Sequence, residues 1–232
     1  MGIKDFSTID ELREAFPSSF LANGTVDLTA RREIRTLPSD MTVAGHLILD
    51  NCDNLTETPE NLSVTGWMCA TTCHSLEKIN KARVGGNMHI TNCPRLHVLS
   101  PALSVGGCII NYCSSLSELP KFHVARNIDV SYCPEIQVLP WNDVRGYFSA
   151  VGCTGLKELP APFSVAGQLD ISGTRGLELR SDVSSPLIWA RNCEALEISD
   201  GSLLRRLGGN IDLDGSEYTI LTPDSMPQAF SP

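Results

Sequence analysis

The chain is short of basic residues, short of aromatics and without any long apolar run, and each shortage removes a class of function. Eighteen Lys and Arg against 27 Asp and Glu leave a formal charge of −9 over 232 residues. That balance repels a phosphate backbone and argues against nucleic acid as a ligand. No stretch approaches the roughly eighteen consecutive apolar residues that a membrane-spanning helix needs. The start, Met1-Gly2-Ile3-Lys4-Asp5-Phe6, lacks the apolar stretch of a secretory signal, and Phe6 stands where an N-myristoylation signal carries Ser or Thr. Aromatic residues make up only 6%, so a core must be aliphatic. A Walker loop, a zinc-protease helix and a Gly-x-Ser-x-Gly elbow are all missing, and the sequence implies no cofactor.

Cysteine, by contrast, is plentiful and ordered. Seven of the nine cysteines, Cys52, Cys73, Cys93, Cys113, Cys133, Cys153 and Cys193, fall on a grid of about twenty residues. Around each, the positions five and three before and three after are apolar, as in Leu47-x-Leu49-x-x-Cys52-x-x-Leu55 and Ile128-x-Val130-x-x-Cys133-x-x-Ile136. Degenerate copies carry Arg31, Thr174 and Ser216 in place of the cysteine, which makes ten units. Seven before the cysteine stands a glycine (Gly45, Gly66, Gly86, Gly106, Gly146, Gly167, Gly209), read as backbone freedom ahead of a strand. Seven after it there is often a proline (Pro38, Pro59, Pro120, Pro140, Pro160, Pro223), which removes an amide donor and fixes φ. About ten residues remain per unit once strand and turn are counted, too few for a helix. The fold class implied is a repeat solenoid whose strands pair in parallel and whose return segments are extended, polyproline-like or 3-10.

The spaced leucines ending in a cysteine rung resemble the leucine-rich repeats, over roughly residues 25 to 223. The short unit with a Leu-Pro step, as in Leu37-Pro38, Leu119-Pro120, Leu139-Pro140 and Leu159-Pro160, is similar to the bacterial repeats of type III secreted effectors. Those usually place Asn at the rung and a leucine two residues later, whereas this chain has Cys and a leucine three later. The resemblance implies a curved parallel sheet that binds a protein on its concave side. It also raises the alternative of a substrate-recognition part of an effector or ubiquitin-ligase-like protein acting in a host cell, reached without a cleavable signal. No segment of this chain matches the helical catalytic domain that some such effectors carry.

An odd number of cysteines, one per unit, suits buried thiols whose S–H reaches a carbonyl in a reducing, cytoplasmic setting better than disulfides between rungs. Ahead of the repeats, residues 7 to 21 read as an amphipathic helix, with Thr8 and Glu11 as a capping box and Ile9, Leu12, Phe16 and Phe20 on one side. A lid over the first apolar face is its expected role. The organisation is therefore a cap over 1–24, a solenoid over 25–223 and a tail over 224–232.

Alternation along a strand sends the positions four and two before each cysteine outward. The first column reads Asp27, Ile48, Cys69, His89, Ile109, Asp129, Ser149, Asp170, Trp189, Asp212, and the second runs from Thr29 and Asp50 to Arg191 and Asp214. Six aspartates and one basic side chain, Arg191, make this face acidic and favour a protein partner with a basic surface. Exposed aromatics are the strongest binding candidates. Trp67 and His46 would neighbour Ile48 and His89; Tyr112, Tyr132 and Tyr147 would form a second group; Trp189 stands by Arg191. The contact set expected is thus Trp67, His89, Tyr112, Asp129, Tyr132, Tyr147, Asp170, Trp189, Arg191 and Asp212, in a non-catalytic module of open oligomeric state.

One enzymatic alternative is visible: Cys69 beside His89 on adjacent rungs, with Asp50 one rung further, as a thiol-imidazole pair. A metal site from Cys69, Cys73, His74 and His89 fails because Cys69 points outward and Cys73 inward.

Overall fold

The computed structural model describes residues 2–141 and 143–221. They form a parallel β-solenoid whose longest face is a run of ten strands in chain order, from Val26–Asp27 to Ile211–Asp212. Register is that of the repeat. Asp27, Ile48, Cys69, His89, Ile109, Asp129, Ser149, Asp170, Trp189 and Asp212 are successive partners across the face. Between them the inward positions, such as Leu47, Leu49, Ile128 and Val130, are buried in one continuous core.

The return segments are extended, with no 3-10 turn in the repeats among the described residues. Two further parallel ladders run beside the main face. One pairs Lys78–Ile79 with Val98–Leu99, and again Glu178–Leu179 with Leu196–Ile198 and Tyr218–Ile220. The other includes Thr42–Val43, Leu62–Val64, His123–Val124, Asp143–Val144, Phe163–Val165 and Val183–Ser184. The chain so bends three times per coil, and the prolines at Pro59, Pro120, Pro140 and Pro160 sit at or next to corners, where no ladder amide is lost.

Thiols join the coils. Cys52, Cys73, Cys93, Cys133, Cys153 and Cys193 each donate to the carbonyl of the buried residue in or just past the strand one coil earlier, Leu28, Leu49, Ala70, Ile110, Val130 and Ile171, at 3.0 to 3.4 Å. In the last coil the hydroxyl of Ser216 makes the same bond to Ala190. All nine cysteines are free thiols, and all but Cys69 are buried.

The glycine file has a different cause from the one its position suggests. Gly45, Gly66, Gly86 and Gly167 do not adopt left-handed φ; each amide donates to the backbone of the preceding coil, as Gly66 does to Gly45 at 2.8 Å and Gly167 to Gly146 at 2.9 Å. A Cβ on Gly45 would lie 2.6 Å from the Thr25 nitrogen, and one on Gly66 would lie 2.7 Å from the Gly45 carbonyl oxygen. Close approach of backbones, not conformational freedom, requires the missing side chain.

The left-handed region is used one residue before each cysteine instead. Ala30, Asn51, Thr72, Asn92, Tyr112, Tyr132 and Asn192 have φ between 52 and 59°, and Gly152, Gly173 and Gly215 occupy the same place. This residue ends the strand and turns the chain inward, while its amide still donates to the next coil, as Tyr132 does to Val151 at 2.7 Å.

At the N-terminus the expected helix is real but shorter. Helix α1 spans Ile9–Ala15 with the Thr8–Glu11 capping box formed, and it stops at Phe16 because Pro17 opens a 3-10 turn, Pro17–Ser19. Leu12 and Phe16 enter the core, with Ile9 and Phe20 packed against it. A second helix, α2, spans Gly201–Leu207 behind the Asp200 N-cap and buries Leu203 and Leu207; nothing in the repeat anticipates it. Pro223 and the 224–232 tail lie outside the described residues.

Burial pushes the Cys52 and Cys153 thiols up to about 12, against roughly 8.5 for a thiol in an unfolded chain. Below that lower value both states are neutral and the stabilisation is complete. Above it only the unfolded chain gains by losing a proton, so each such thiol should remove about 1.4 kcal/mol per pH unit until the folded value is reached. Urea unfolding at about pH 7.5, 9 and 10 should therefore show a steepening loss, shallower in Cys52→Ala/Cys153→Ala; a flat profile would contradict the buried thiol stripe.

Candidate functional site

Strands on the ten-strand face are mostly two or three residues long; the first amide beyond them still bonds to the next coil, as Val130 does to Ser149 at 2.9 Å, but the second, as at Thr29, Ser131 and Ser172, turns to a side chain. The outward columns supply these acceptors. Asp27, Asp129, Asp170 and Asp212 each accept from the amide two residues on, at Thr29, Ser131, Ser172 and Asp214, all at 3.0 Å. Asp50 accepts from Thr71 across the coil at 2.8 Å, and the hydroxyls of Ser131 and Ser172 accept from Val151 and Arg191 at 3.2 and 3.1 Å. The aspartates are thus strand-end acceptors, fixed in orientation before any ligand arrives.

Arg191, the face's one basic side chain, is already engaged. Its guanidinium donates to Asp212 Oδ2 through Nε at 2.7 Å, lies 2.6 Å from it through Nη2, and sits 4.7 Å from the Trp189 ring centroid. Asp212 is held below the usual carboxylate range by the Asp214 amide and then by Arg191.

The aromatics fall into separate places. Trp67 stacks on His46 at 4.5 Å and 17°, and its amide donates to His46 Nδ1 at 3.1 Å. Tyr112 and Tyr132 stack at 4.5 Å and 9°, but on the left-handed turn at the rim of the face and not on its floor. They are 51% and 44% exposed. Tyr147 does not join them. It precedes its strand where Tyr132 follows one, which puts it at the opposite edge, beside Asp129 and Asp170. Asp129, Tyr147, Ser149, Gln168 and Asp170 line an open depression of about 350 Å3.

Two features escaped the sequence reading. The rim turn was signalled by Asn51, Asn92, Asn192, Gly152, Gly173 and Gly215 in one column, residues that tolerate left-handed φ, and the two tyrosines masked it. The depression follows from Ser149, a small side chain between two carboxylates in the register column.

Cys69 and His89 are register partners, as their spacing requires. The thiol turns to Asp50 Oδ1 at 2.9 Å, with Thr71 Oγ1 at 3.3 Å. Burial and the Asp50 carboxylate push it up to about 11, and burial lowers His89. Among the described residues no group of three or more His, Cys, Asp or Glu is placed to hold a metal ion, and no helix is long and apolar enough to cross a membrane.

A thiol held neutral by a carboxylate should alkylate slowly. Iodoacetamide at neutral pH should modify Cys69 more slowly than a free thiol, with no slowing in His89→Ala and an acceleration in Asp50→Asn. Fast modification that needs His89 would restore the thiol-imidazole pair.

The chain matches no protein-family model, and no curated protein or solved structure matches it.

Proposed function

We propose that this protein is a non-catalytic binding module, built on leucine-rich-type repeats with α1 as the cap of the first coil, that holds a protein partner on the ten-strand face and its rim. The observation that carries the reading is the Tyr112–Tyr132 pair. A bulky residue in the left-handed region costs roughly 1–2 kcal/mol, and stacking of two rings returns only about 0.5–1.5 kcal/mol. Six of the other eight coils meet the same turn with Asn or Gly, and the remaining two with the smaller Ala30 and Thr72, so stability gives no reason to place two half-exposed rings there. Aromatic anchors of this kind concentrate binding energy. The Cys69 thiol, neutral and bonded to Asp50, favours this reading over the enzymatic one. The fixed carboxylates, together with the net charge of −9, favour a partner with a basic surface.

Asn at both rim positions keeps the turn and removes the rings. Tyr112→Asn/Tyr132→Asn should leave stability unchanged or raise it, because the strain relieved at two positions exceeds the stacking lost. Crosslinking mass spectrometry should place partners of the wild type on the face and rim. Recovery should fall at least tenfold in Trp67→Ala/Tyr132→Ala/Trp189→Ala, and in the Asn pair, by the arithmetic of losing roughly 1.4 kcal/mol or more. Equal recovery of partners from wild type and variants would remove the reading.

A further inference from the structure

We infer that the depression between Asp129 and Asp170 is a seat for an arginine side chain of the partner, with the guanidinium lying over Ser149, a carboxylate at each end and the Tyr147 ring at its flank. The inference rests on the protein-binding reading and gives that partner a chemistry. Three observations carry it.

The first is shape. Asp129, Ser149 and Asp170 are consecutive in the register column, so the two carboxylates stand two coils, roughly 9.6 Å, apart along the backbone. The small serine between them leaves a gap, closed on one side by Tyr147 and Gln168. The second is pre-organisation. Oδ1 of each aspartate is committed to a strand-end amide, Ser131 or Ser172. Asp129 Oδ2 accepts only from Asn111 Nδ2, at 3.3 Å, and Asp170 Oδ2 has no hydrogen-bond partner among the described residues. A ligand that donates to these oxygens meets them already oriented, without a further entropic cost of fixing them.

The third is an internal precedent. On the same face the Trp189 ring and the Asp212 carboxylate hold the chain's own guanidinium, that of Arg191. The depression offers the same pairing of ring and carboxylate, with a second carboxylate added and no cation of the chain in it. A planar fork that donates from opposite edges fits two separated carboxylates. A divalent cation needs several oxygens within roughly 2.6 Å of one point, which two coils' separation opposes. A lysine ammonium is a compact charge and reaches one end at a time.

The probes are acetyl-Gly-Arg-Gly-amide and its Lys counterpart, each titrated into the labelled full chain and followed through the amide resonances of Ser149 and Gln168. The Arg peptide should give saturable shifts centred on these residues, and the Lys peptide should bind several-fold more weakly. Asp129→Asn/Asp170→Asn keeps the Oδ1 acceptors, so it should retain the fold while binding falls roughly tenfold or more. Tyr147→Ala should weaken it several-fold, and Trp67→Ala, far along the face, should leave it unchanged. Absent saturation, equal binding of the two peptides, or indifference to the carboxamide pair would each overturn the seat. The protein-binding reading would survive those results if the Asn rim variant still loses partners, and would fall separately if it does not.

Discussion

Six coils are tied to their predecessors by a thiol that donates to a backbone carbonyl, and this bond sets what the rest of the molecule can be. Sulfur is bulky enough to fill the inside of a corner and polar enough to satisfy one acceptor there, while demanding no water. A hydroxyl does the same in the last coil, where Ser216 takes the place of cysteine. Since each bond links only neighbouring coils, stability builds up by repetition, and the apolar columns are buried only because the next copy covers them.

The polarity of the long face follows from the brevity of its strands. Short strands leave an amide past their ends without a backbone partner, and Asp and Ser in the outward columns accept from it. A face that looks acidic by composition is in large part an inventory of backbone acceptors. The groups this duty leaves over, on which the proposed recognition would draw, are second carboxylate oxygens, the rings of Trp67 and Tyr147, and the rim tyrosines.

Much of this was legible in the residues. The cysteine grid and its flanking leucines gave ten coils in register, because a period of two along the strand and of about twenty along the chain leaves no other way to bury both columns. The identity of outward positions followed from the same alternation. Other features were hidden by residues with two meanings. Gly66 and Gly86 serve close approach between coils rather than φ, which depends on the neighbouring coil and not on local sequence. Tyr112 and Tyr132 sit where Asn or Gly would have announced a left-handed turn. Tyr147 shares a residue type with them and lies across the face, since its offset from the cysteine, six and not one, sets its edge. Helix α1 ended early at Pro17, and the return segments proved extended because a second and third ladder claim their amides.

The glycine file also makes the face a ruler. Coils that touch backbone to backbone repeat at roughly 4.8 Å, whereas an extended polypeptide laid along the axis presents side chains on one side every 6.8 Å or so. The two scales drift out of step and realign only after about seven coils, so at most once along a face of ten strands. No ligand of regular sequence can be matched coil by coil. For the binding role we propose, discrimination would then reside in a few isolated coincidences along the axis, with the unequal intervals between Trp67, Tyr147 and Trp189 as its selective element.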